Sequence, residues 1–65
     1  MKPKPQLDQI GRVNGASNPI SGALVRVVKV INEETIRVRL LQDRALFRNG
    51  YETDLKATEF DPHFV

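Results

Sequence analysis

Two arginines of this 65-residue chain stand in a strictly alternating run, Thr35-Ile36-Arg37-Val38-Arg39-Leu40-Leu41. A period of two places Ile36, Val38 and Leu40 on one face of a strand and Thr35, Arg37, Arg39 and Leu41 on the other. The apolar face is expected to be buried and the arginine face exposed. If the chain turns over Asn32–Glu34, Lys29 falls opposite Arg37, and like charges directly opposite are mildly destabilising. A cluster of Lys29, Arg37 and Arg39 therefore calls for acids nearby or for a partner that supplies negative charge. Glu33, Glu34 and Glu52 are the acids that could neutralise it internally. Two readings follow, a solvated and internally paired face or a binding surface for an anion.

The other reactive side chains point away from catalysis. Ser17 and Ser21 have no plausible histidine partner, since the one histidine, His63, lies close to the end of the chain. Cysteine is absent, so no thiolate metal site, disulfide or cysteine nucleophile is expected. The acids Glu33, Glu34, Asp54, Glu59 and Asp61 lack the spacing of a calcium loop, and the glycines of "GRVNGASNPISG" lack the spacing of a phosphate loop. A carboxylate pair for acid–base work would need a dry pocket larger than a domain of this size usually offers. No metal, cofactor or enzymatic activity is expected. A single-stranded nucleic acid stacks its bases on exposed aromatics beside basic residues, and Tyr51 close to Arg48 is the candidate for that role. Phe47 and Phe60 are expected in the core.

Length and charge bound the rest. The chain forms one domain at most, and a chain this short buries only about 60% of its unfolded surface. The ten lysines and arginines outnumber the eight acids by two, but unevenly. Residues 1–31 carry five cations (Lys2, Lys4, Arg12, Arg26, Lys29) against Asp8, whereas residues 49–65 carry Lys56 against Glu52, Asp54, Glu59 and Asp61. No secretory leader is evident in "MKPKPQLDQ", and no apolar run is long enough to span a bilayer as a helix. With no cysteine, a cytoplasmic location is expected and no membrane partner.

The elements that must position these residues are short. The alternating prolines of "MKPKPQ" predict an extended basic arm over residues 1–9. "LDQIGRV" suggests a first strand, and "NGASNPISG", residues 14–22, a long loop that is either mobile or functional. "ALVRVVKVI" is β-branched throughout, but Val27 and Val28 adjoin, which predicts a bulge or burial on both faces. Asn49-Gly50, between "ALFR" and "YETDL", predicts a two-residue type I′ hairpin turn with positive φ at both positions. "DLK" suggests a brief turn and Ala57–Phe60 a last strand. Periods of two throughout and five or six short strands indicate an all-β barrel or sandwich, and closure into a barrel best removes exposed edges.

"GALVRVVKVINEETIRVRLL" followed by "NGYETDLKATEF" resembles the small SH3-like barrels, including KOW-type and Tudor-like modules. The likeness spans about residues 22–62 and rests on the succession of glycine, hydrophobic strand, polar turn and alternating strand, closed by Asp54-Leu55 and a short final strand. The glycine spacing of a full KOW motif is absent. The resemblance implies an all-β fold, a small SH3-like barrel of about five short antiparallel strands over residues 10–62, with an extended N-terminal arm over 1–9 and a C-terminal tail over 63–65. It also implies a binding role. Together with the basic first half, it predicts a non-enzymatic module for an anionic partner, nucleic acid or a nucleoprotein complex, using Lys29, Arg37, Arg39, Arg48 and Tyr51. The alternative is a protein–protein adaptor or small structural subunit, self-associating or not, that uses barrel edges and the apolar Phe64 and Val65. Phe64 then either folds back over the open end of the barrel or docks on a partner.

Overall fold

The computed structural model describes residues 5–44 and 46–62. The strands are β1 (Ile10–Val13), β2 (Leu24–Val30), β3 (Thr35–Leu40), β4 (Glu52–Lys56) and β5 (Phe60–Pro62), with one turn of 3-10 helix, Ala57–Glu59, between the last two. All pairings are antiparallel and the order in the sheet is β4-β3-β2-β1-β5. The fold is all-β, and no α-helix occurs among the described residues.

The alternation expected of β3 is realised. Ile36, Val38 and Leu40 are buried, and they meet Val25 and Val27 from β2, Leu55 from β4 and Phe60 from β5 in one core. Arg37 and Arg39 keep about half of their side chains in solvent, at 43% and 51%. β1 supplies Val13 to the same core, and Gly11 lets β5 close against it. A Cβ at Gly11 would collide with the carbonyl oxygen of Asp61 and lie 2.7 Å from the Phe60 ring.

The long loop after β1 is tied down. Asn18 accepts the Ile20 amide through Oδ1 at 3.1 Å, Gly22 N donates to Val13 O, and the guanidiniums of Arg12 and Arg44 donate to the carbonyls of Gly22 and Ser21. Ile20 then drops into the core at 2% exposure. At the other end of β1, Asp8 N donates to Val27 O and Val27 N to Gln9 O, so residues 8 and 9 already run along β2. Lys2 and Lys4 of the basic arm, and His63, Phe64 and Val65 of the tail, lie outside the described residues.

Three local expectations are corrected. "DLK" belongs to β4 and forms no turn, because Asp54 and Leu55 pair with Arg37 and Ile36. Ala57–Glu59 forms the 3-10 turn, and only Phe60 begins the last strand. Asn49-Gly50 does form a turn, with Tyr51 N donating to Arg48 O at 3.0 Å, but only Gly50 has a positive φ, +96°. That is the φ pattern of a type II turn and not of type I′. The turn leads into β4 and does not join two paired strands, because Arg44 and Phe47 make an isolated bridge instead of a strand.

Candidate functional site

The outer face of β2, β3 and β4 is built by register. Arg26 stands opposite Arg39, and Lys29 opposite Arg37. Arg26 and Lys29 are three residues apart, a spacing that would put them on opposite faces of a regular strand. A register shift between Val27 and Lys29 leaves Val28 as the extra residue of a β-bulge and returns Lys29 to the face of Arg26. The four cations thus form a two-by-two grid, about 5 Å apart between strands and about 7 Å apart along β3.

β4 adds an acidic rail along one side. Glu52 lies opposite Arg39 and Asp54 opposite Arg37. Arg39 donates from Nη2 to Glu52 Oε2 at 2.6 Å and from Nε at 2.9 Å, and Arg37 Nε donates to Asp54 Oδ1 at 2.9 Å. The hydrogen bond and charge of Asp54 raise the pKa of the Arg37 guanidinium above its ordinary value, so that arginine is a fixed cation. These pairs are open to water and contribute little to stability.

Among the described residues no carboxylate pairs with Arg26 or Lys29. The internal neutralisation expected for Arg37 and Arg39 therefore exists, through Glu52 as foreseen and through Asp54, but it stops one strand short of β2. The grid keeps a net charge of two positive units, from four cations and two acids. Val28 is half-buried beside it, and Ile10, opposite Arg26, is 36% exposed at its border.

The structure brings together Lys29, Arg37 and Arg39 on one face and turns Tyr51 away from it. Arg48 opens the turn that precedes β4. Tyr51 precedes Glu52 in the chain, so alternation turns its ring to the other side of β4. It lies instead against Phe47, with ring centroids 4.8 Å apart and planes at 46°. The residue that the sequence reading left out of the site is Arg26. The adjacency of Val27 and Val28 was its signal, since placing the bulge at that pair brings Arg26 and Lys29 to one face. No group of three or more potential metal ligands occurs among the described residues, and no helix among them is long and apolar enough to cross a membrane. No family model, curated protein or solved structure matches this chain.

Proposed function

We propose that this protein is a non-enzymatic binding module that holds a polyanion, nucleic acid or the nucleic acid of a nucleoprotein complex, on the outer face of β2 and β3. The observation that carries the reading is the pair of like-charged cross-strand contacts, Arg26 with Arg39 and Lys29 with Arg37. Each such pair weakens a sheet by a fraction of a kcal/mol, on the order of 0.2–1, unless an anion relieves it. A grid with spacings of about 5–7 Å suits a row of phosphates better than one small anion, and releasing the counterions of that row supplies the affinity. Arg26 and Lys29 are the principal contacts because no acid among the described residues competes for them; Arg37 and Arg39 are shared with the acidic rail.

The strand order and the short last strand after a 3-10 turn support the likeness to SH3-like barrels, and the cysteine-free sequence suits work in the reducing cytoplasm. Fluorescence anisotropy with labelled single-stranded RNA, single-stranded DNA and duplex DNA at low salt tests the function. Saturable binding to at least one of them is expected, and absence of binding to all three sets the reading aside.

A further inference from the structure

On the side of β4 turned away from β3, a groove of about 300 Å³ runs between β4 and the loop 14–22. Its walls are Pro19, Ile20, Phe47 and Tyr51, and Asp54 and Glu59 border it. We propose that this groove and the open edge of β4 together bind an extended peptide segment of a partner protein, with a lysine or arginine of that segment seated between the aromatic pair and Glu59. This site adjoins the acidic rail of Glu52 and Asp54 that borders the polyanion face, and it carries the opposite charge.

The edge follows from the ladder. Leu40 N donates to Tyr51 O at 2.8 Å, and Ala57 N to Glu34 O at 2.8 Å. In an antiparallel pair, residues alternate between those that bond the partner strand and those whose amide and carbonyl point the other way. With Leu40 and Ala57 fixing the phase, Thr53 and Leu55 bond β3, and the backbone groups of Glu52 and Asp54 face outward. No strand among the described residues lies beyond β4. The outward amide of Lys56, next in the same series, is taken by Glu59 Oε1 at 3.3 Å. Glu52 and Asp54 are left as a short template for an added strand, a recurrent mode of peptide recognition.

The groove supplies selectivity to that edge. Side chains of an added strand alternate, so one of them enters beside Tyr51, which is 43% exposed, and the Phe47 ring packed on it. The Asp54 carboxylate is engaged with Arg37. The Glu59 carboxylate, which accepts the Lys56 amide, has no cationic partner among the described residues, so the lining keeps one negative charge beside the Phe47–Tyr51 ring pair. An aliphatic stem ending in a cation satisfies both the apolar walls and that charge, with ring attraction added where the cation lies over a face. A carboxylate side chain would meet repulsion at the same place.

The test uses three blocked pentapeptides in ¹⁵N and aromatic NMR titrations of the intact protein. The first alternates valine and threonine around a central lysine, the second has glutamate in place of the lysine, and the third keeps the lysine but is N-methylated on the amides that would pair with β4. Saturable shifts are expected at the Glu52 and Asp54 amides and at the Phe47 and Tyr51 rings with the first peptide. The other two should bind at least roughly tenfold more weakly, a difference of about 1.4 kcal/mol. Glu59→Gln, which keeps the acceptor for Lys56 N, should abolish the preference for lysine over glutamate. Equal binding of the methylated peptide overturns the strand-addition step. No binding, or shifts confined to Arg26 and Lys29, overturns the proposal without touching the polyanion reading, because a cationic peptide is repelled by that grid.

Discussion

Lys29 stands directly opposite Arg37 across the β2–β3 ladder, and on the same face as Arg26, because Val28 is one residue too many for β2. A bulge re-aims the side chains that follow it, and here it converts an odd spacing into a shared face. The charge pattern of the sheet depends on this detail. Without it, β2 would offer one free cation to the outer face instead of two.

The core beneath that face is small, and Val38 lies at its centre with no exposed surface. Val38→Ala should cost about 2 kcal/mol by lost burial and an unfilled space, a large share of the stability of a domain this size. Urea unfolding followed by circular dichroism reads this directly. A variant as stable as the parent would mean that β3 is not in the register described.

Gly11 and Gly50 are needed for different reasons, and their variants should separate them. Gly11→Ala places a methyl against the Asp61 carbonyl and the Phe60 ring, so the β1–β5 pairing must move. A loss of about 1–3 kcal/mol is expected. A Cβ at Gly50 meets nothing within 4 Å, and only its φ of +96° resists substitution. Gly50→Ala should therefore cost about 1 kcal/mol and Gly50→Val more, through the backbone alone. Thermal unfolding of the three variants checks the order, and equal stability of Gly50→Val and the parent would contradict the turn.

The acidic rail competes with any anion for Arg37 and Arg39. Glu52→Gln combined with Asp54→Asn frees both guanidiniums, and affinity for RNA should rise several-fold, on the order of the strength of two exposed ion pairs. Anisotropy at fixed salt measures it, and unchanged or weaker binding would show that β3 does not take part. Because the pKa of Arg37 is raised, its guanidinium stays charged through the ordinary arginine range, so rising pH removes the contribution of its pair only above that range. Moving from about pH 7 to pH 9 should therefore leave the Arg37 share of binding unchanged.

Much of the fold was legible from period and residue type. The alternation of Thr35–Leu41 sets burial on β3, and the adjacency of Val27 and Val28 announces the bulge. The place of Lys29 opposite Arg37 follows once Asn32–Glu34 is taken as a turn, which Asn32 secures by accepting the amides of Glu34 and Thr35 at 2.8 and 2.9 Å. Long-range pairing was not legible. Asp54 and Leu55 read as a turn because Asp is poor in strands, yet pairing with Arg37 and Ile36 outweighs that preference. Asn49-Gly50 read as a hairpin because local sequence does not reveal that Arg44 and Phe47 pair with each other as an isolated bridge. Arg26 was missed because the valine pair left a bulge and burial on both faces open, and only the bulge brings Arg26 to the face of Lys29. Tyr51 was read as a base-stacking platform from its nearness to Arg48 in sequence, and strand alternation turns its ring away from the face of Arg37 and Arg39.

The most direct test of the polyanion face compares the salt dependence of RNA binding by the parent with that of Arg26→Ala combined with Lys29→Ala. The plot of log affinity against log salt should flatten by about 1.4–1.8 units in the double variant, one phosphate contact for each lost cation, with unfolding stability no lower than the parent's. A double variant with the same affinity and the same slope as the parent would contradict the assignment of β2 and β3 as the binding face.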